Sequence, residues 1–364
     1  MTILSTMTTL NTLNTINISD SPYKIKRKRS KYASFMKAYR VRTPKYKFYV
    51  ECGGDPKAPV VLLIMGLGAQ FLVWPNEFCQ HLIDAGYQVV RFDNRDCGKS
   101  SKFKHKNALT TQHLTLTRQL KLLAQFKLGV KLPSLGRYYR RIYDESATHE
   151  LPIPYYLTDM AEDTYHLLNA LQIERCHIIG MSMGGMIAQI IAAEHPERVI
   201  SLGLLSTSNN RLLLPVPSLK TLRNLMRTAP PKQDVEAVIT HTVALLKAIS
   251  SAQYFDDKLA YGRARVLYDR RFYPKGVTRH LLAILATGSL RPYNARIKSP
   301  TLVVHGSKDR LLSATHGREV AKAIPDSKFE LIKGLGHDIP IELAAEISRL
   351  FVEHFDKAQD LLET

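Results

Sequence analysis

Cysteine is scarce, long apolar runs are missing and acids are outnumbered. The four cysteines, Cys52, Cys79, Cys97 and Cys176, fall in separate segments with no close pairing. That spacing excludes a disulfide framework and a thiolate zinc site, and it fits free buried thiols in a reducing compartment. No run reaches the roughly 18 apolar residues that a membrane-spanning helix needs. Residues 1–20 have neither a Lys/Arg start nor a continuous apolar middle, so they do not read as a secretory signal. The reading is a cytoplasmic chain without a spanning segment. No cluster has metal-ligand spacing, no cofactor motif appears and no internal repeat is found. Nucleic-acid binding would rest on charge alone, with no aromatic platform or known motif behind it.

The shortage of acid is local. Lys and Arg total 51 against 32 Asp and Glu, a net charge of +19. Residues 1–47 carry eleven bases against one acid, residues 101–154 ten against three, and residues 209–299 sixteen against five. The remaining segments are net acidic, so every basic stretch reads as an addition to an acidic core. Lys24–Lys31 holds six positive charges in eight residues. It reads as the centre of a disordered, solvated tail over residues 1–44, with contact to anionic lipid or nucleic acid as the sharper alternative.

Apolar residues make up 45% of the chain, enough for a sizeable core. The pattern predicts strands at 46–50, 60–65 and 88–92, the continuous apolar run Val60–Met65 being that of a strand buried on both faces. Helices are predicted at 76–85 and 157–171. After residue 175 come a strand, a helix from Met186 and a strand at 199–205. The C-terminal part alternates strand 301–304, helix 314–323, strand 329–332 and helix 341–355. Strands alternating with helices imply an α/β fold with a doubly wound, mostly parallel sheet. Two stretches break the rhythm. Residues 101–154 hold a basic amphipathic helix candidate, His113–Leu128. Residues 209–299 show helical periodicity at Val235–Ile249 and His280–Ala286 and no strand, so they read as a helical cap. The core is then 45–208 plus 300–364.

The chemistry centres on Gly180-Met181-Ser182-Met183-Gly184-Gly185, a Gly-x-Ser-x-Gly between a strand and a helix. This is the nucleophile-elbow pattern: a tight turn whose flanking residues must be small and whose serine is lifted clear of the sheet. A serine hydroxyl at neutral pH needs a base, and the base needs an orienting acid. Asp309 follows the strand at 301–304 and His337 follows the strand at 329–332. Both stand past the carboxyl ends of parallel strands, where such sheets place their sites. The rivals are Asp338 for the acid and His305 or His177 for the base, and each reads better as structural. The oxyanion needs two donors. The Met183 amide, directly after the serine, is one. The Leu67 amide, in Gly66-Leu67-Gly68, is the other.

At these residues the chain resembles the α/β-hydrolase family, in its serine esterase/lipase branch. Met65–Gly68, Arg91–Ser100, Gly180–Gly185, His305–Asp309 and Gly336-His337 carry the resemblance, which covers roughly 45–100 and 155–360. The Asp93-Asn94-Arg95-Asp96-Cys97-Gly98 stretch looks like the aclacinomycin methylesterase-like hydrolases. In that group it is mainly a structural turn, which implies no catalytic role for Asp93 or Arg95. The resemblance also implies a lid built from 209–299.

The expected function is cleavage of a small carboxylic ester, or a lipid ester, through an acyl-enzyme on Ser182. Ser182 argues against dehalogenase and epoxide hydrolase chemistry, which need a carboxylate at the elbow. Peptidase, perhydrolase and carbon–carbon hydrolase activities share the triad and stay open. A binding protein of the same fold, held at a membrane surface without turnover, is the rival of another class.

Overall fold

A computed structural model describes residues 21–28, 30–104, 154–218, 221, 223 and 230–363. Residues 1–20 and the helix candidate His113–Leu128 lie outside them. Among the described residues nine strands form one sheet: β1 (Ile25–Lys28), β2 (Met36–Arg42), β3 (Lys47–Gly53), β4 (Val60–Ile64), β5 (Gln88–Phe92), β6 (Cys176–Met181), β7 (Val199–Leu205), β8 (Thr301–Gly306) and β9 (Lys328–Ile332). Their spatial order is β1-β2-β3-β5-β4-β6-β7-β8-β9. The pairs from β5 to β9 are all parallel, while β1, β2 and β3 run antiparallel at one edge.

The helices that cover the sheet are α1 (Asn76–Asp84), α2 (Leu157–Ala170), α3 (Met183–Glu194), α8 (Ala314–Ala323) and α9 (Ile341–Glu363). Between β7 and β8 lie α4 (Val235–Ile249), α5 (Asp257–Arg271), α6 (Pro274–Thr287) and the short α7 (Arg291–Asn294). No strand is found among the described residues of that stretch. Strand β4 shows why both faces are covered. Val60, Leu62 and Ile64 pack with Met160, Leu167 and Ile187 of α2 and α3. Val61 and Leu63 pack with Phe78 and Leu82 of α1 and with Ile347 and Phe351 of α9. Period-two alternation therefore feeds two apolar layers, as a doubly wound sheet requires. No described helix is long and apolar enough to cross a membrane.

The disordered tail expected through residue 44 is corrected here. The described residues of that range begin at residue 21, and Ile25–Lys28 of the basic run form β1. In β2, Met36, Ala38, Tyr39 and Val41 are buried while Lys37, Arg40 and Arg42 are exposed. Lys26, Arg27 and Lys28 of β1 are likewise exposed at the sheet edge. Repulsion does not unfold these strands, because the charges stay in water while Met36, Ala38, Tyr39 and Val41 of β2 pack. Lysine and arginine on an edge strand also block pairing with another chain.

Candidate functional site

Ser182 stands between β6 and α3 with φ 55° and ψ −122°. A non-glycine residue with positive φ is strained and persists only where its surroundings hold it. Here the Ser182 N–H donates to the Leu205 carbonyl (3.0 Å), and the Thr207 hydroxyl donates to the Ser182 carbonyl (2.6 Å). The glycines of the elbow follow from close approach. A Cβ on Gly180 would stand 2.5 Å from the Gly184 carbonyl oxygen, and one on Gly184 would stand 2.0 Å from the Ile64 carbonyl oxygen. No side chain fits at either position.

Asp309 and His337 lie in the loops after β8 and β9 and meet directly. His337 Nδ1 donates to Asp309 Oδ2 at 2.7 Å, with both residues buried. The other carboxylate oxygen accepts from the Leu311 and Leu312 amides at 2.9 and 2.8 Å. Burial by itself would raise the Asp309 pKa. The charge of His337 and hydrogen bonds from His305 and His337 outweigh it and hold the carboxyl below the ordinary aspartate range. Ionised at neutral pH, Asp309 keeps the proton on Nδ1 and leaves Nε2 of His337 as an acceptor.

His177 and Asp338 are engaged elsewhere, while His305 lies against Asp309, its Nε2 3.4 Å from Oδ2. His177 bonds Ser201 and Gln359, and burial lowers its pKa to about 3. His305 Nε2 bonds the Leu312 carbonyl at 2.8 Å. Asp338 Oδ1 accepts from the amide and hydroxyl of Ser251, at 2.9 and 2.6 Å. Asp93 and Arg95 take part in buried ion pairs, with Arg270 and Asp163. All four cysteines are free and buried.

Gly66 brings the 66–68 loop against the serine, since a Cβ there would lie 3.1 Å from Ser182 Cβ. The Leu67 and Met183 amides have no acceptor among the described residues. Two free donors next to a strained serine can receive a developing oxyanion. Among the described residues, no group of three or more His, Cys, Asp or Glu could hold a metal ion.

Residues 59–343 match the α/β-hydrolase fold family. The chain belongs to that family. This α/β-hydrolase is 24% identical over 320 residues to the rhodomycin D methylesterase DauP of Streptomyces sp. (strain C5), covering 83% of this chain and 92% of that one. It is 22% identical over 326 residues to the monoacylglycerol lipase ABHD6 of Bos taurus, covering 84% and 93%. The enol-lactonase of Burkholderia xenovorans LB400 shares the fold, with a TM-score of 0.61 at 20% identity over 86% of this chain and 98% of that one.

Some residues around the site of this α/β-hydrolase escape a sequence reading. Thr207 is one. Its only signal is a buried polar run, Ser206–Asn209, just past the end of a parallel strand. Ser251 is another: its hydroxyl accepts from the Gly336 amide (2.7 Å) while the His337 amide donates to the Ile249 carbonyl (2.8 Å). The end of α4 thus holds the histidine loop. His280, a lone histidine on α6, is the third.

Proposed function

We propose that this α/β-hydrolase cleaves carboxylic esters through an acyl-enzyme on Ser182. The observation that carries the reading is the 2.7 Å bond between His337 and Asp309, made at the sheet edge where strained Ser182 stands. His337 Nε2 takes the serine proton as Oγ attacks the acyl carbon, then returns a proton to the leaving alcohol. Water repeats the sequence on the acyl-enzyme, with His337 again as base. Asp309 fixes the tautomer and offsets the charge on the imidazolium. The Leu67 and Met183 amides receive the oxyanion. The methylesterase and lipase relatives support an ester substrate, small or lipid-like. Residues 209–299 act as the cap over the site, and their ties to the histidine loop support this.

Hydrolysis of a chromogenic ester series from short to long acyl chains, by wild type and Ser182→Ala, tests the reading. Turnover is expected to fall by roughly 10⁴-fold or more in the variant. A variant that keeps wild-type turnover sinks the assignment. The chain length preferred by the wild type separates a small-ester enzyme from a lipid esterase.

The exposed basic residues of β1 and β2 support a second element of the proposal, peripheral contact with anionic membranes. Binding to vesicles is expected to rise with anionic lipid and to fall with salt. Equal binding to neutral vesicles would remove this element and leave the esterase reading standing.

A further inference from the structure

Gly68 is held from three sides. Its N–H donates to His280 Nδ1 at 3.0 Å, and its carbonyl accepts from Cys97 Sγ at 3.4 Å. Its φ is +65°, and a Cβ there would stand 2.6 Å from Val277 Cγ2. Val277 and His280 are three residues apart on α6, so one helical face covers the loop. His280 is fully buried, and its Nε2 donates to the Arg95 carbonyl at 2.8 Å. Accepting at Nδ1 while donating at Nε2 requires the neutral ring. Burial lowers the His280 pKa to about 4, against the opposing pull of the Arg95 carbonyl and Asp96, with Arg95 and Lys102 adding to the decrease. Two neighbours seat the same helix. Arg279 pairs with Asp96 at 3.1 Å, and a Cβ on Gly276 would stand 2.0 Å from the Asp96 carbonyl oxygen.

The loop so held is the one beside the nucleophile. The Ala69 N–H donates to the Gly66 carbonyl at 3.2 Å and closes a turn around Leu67 and Gly68. The Leu67 and Gly68 amides flank the same α-carbon, so a rotation that moves one changes the aim of the other. Without His280 the N–H of half-buried Gly68 would lose its acceptor, and the turn would reorganise to satisfy it.

We propose that His280 is a positioning residue: by accepting the Gly68 N–H it aims the Leu67 N–H at the oxyanion formed on Ser182. The helical insertion is then a fixed wall of the oxyanion hole at α6, not a cover that lifts as one body. This rests on the esterase reading of Ser182 and Leu67.

The test compares wild type with His280→Asn, His280→Gln and His280→Leu in the full-length chain. Asparagine places an acceptor near the Nδ1 position and keeps the Gly68 bond. Glutamine places its amide near Nε2 and keeps only the Arg95 bond. The readouts are kcat and KM on an ester that wild type hydrolyses, inhibition by an alkylboronic acid that adds to the serine, and thermal unfolding. In the Gln and Leu variants kcat is expected to fall about 10- to 100-fold with KM nearly unchanged, since one oxyanion donor is worth about 10²–10³ in rate and misaim removes part of that. Boronate affinity should fall with kcat, and the Asn variant should keep most of both. Equal losses in Asn and Gln, or a folded Leu variant with wild-type kcat, overturn the proposal. Should the Leu variant not fold, the Asn–Gln contrast carries the test. Ser182→Ala separates the two readings. If turnover survives it, the serine assignment fails and the His280 role falls with it. If turnover needs Ser182 but ignores His280, only the positioning role is lost.

Discussion

Helix α5 carries arginines on two faces that differ in one respect, access to water. Arg265 on the outer face pairs with Glu236 at 3.1 Å and Asp269 at 3.2 Å, with all three side chains about half exposed. Arg270, five residues on, has no side-chain exposure. It pairs with Asp93 at 2.8 Å and lies over the Phe71 ring, 4.3 Å from its centroid. Asp93 also accepts from the Phe71 and Lys99 amides, and a Cβ on Gly98 would stand 2.1 Å from its carboxylate. The chemistry of the two pairs is the same. Water screens the outer charges whether or not they are paired, whereas either partner of the inner pair left alone would be an unsolvated ion. The insertion is therefore joined to the core by groups that are costly to separate, while its outer face can change freely.

The largest effect should come from splitting the inner pair. Arg270→Ala or Asp93→Ala is expected to lower stability by about 3–5 kcal/mol in denaturant unfolding. The double variant Arg270→Met/Asp93→Leu should recover much of that loss, because neither charge is then stranded. A single variant as stable as wild type would show that water reaches the junction and would erase the contrast between the faces.

Acid should act next, and through buried histidines. His177, in the core, and His280, at the junction, have pKa values lowered by burial to about 3 and about 4 from an ordinary 6.5. The unfolded chain takes up these protons first. Their contribution is therefore complete above pH 6.5 and declines as pH falls toward 4, at about 1.4 kcal/mol per group and pH unit. Asp309 has the opposite sign of group and a lowered pKa. Its contribution is present above the unfolded value near 3.8 and is lost only below it. Urea midpoints that stay constant between pH 6.5 and 4.5 would contradict the histidine term. The smallest effect is expected at Arg265→Ala, whose Tm should match wild type. A clear decrease there would mean that the outer pairs also fasten the insertion.

The sheet was legible because its evidence is local. Val60–Ile64 is a continuous apolar run and Val199–Leu205 is apolar but for Ser201 and Gly203, and parallel strands covered on both faces read that way. The predicted helices at 76–85 and 314–323 and the strand at 88–92 match α1, α8 and β5 almost residue for residue. The candidate site was legible for a related reason. An elbow needs glycines around its serine, and two polar residues past strand ends point to one sheet edge. The basic N-terminal strands were misread because charge density was weighed over the apolar residues set within it. Yet Met36, Ala38, Tyr39 and Val41 stand between those charges and bury apolar side chains on both faces of the sheet. His280, Thr207 and Ser251 had no comparable local signal.

The sequence by itself determined the α/β alternation, the elbow at Ser182 and the two candidates that follow β8 and β9. Each depends on residue types a few positions apart, which periodicity and turn chemistry constrain. Only the tertiary structure decided that His337 lies nearer Asp309 than His305 does, that Asp338 serves Ser251, and that α6 reaches the loop beside the serine. Those outcomes join residues up to about two hundred positions apart, as the Gly68–His280 bond does across 212. Such partners find each other only when the packed sheet brings their loops to one edge and burial obliges every polar group to find a match.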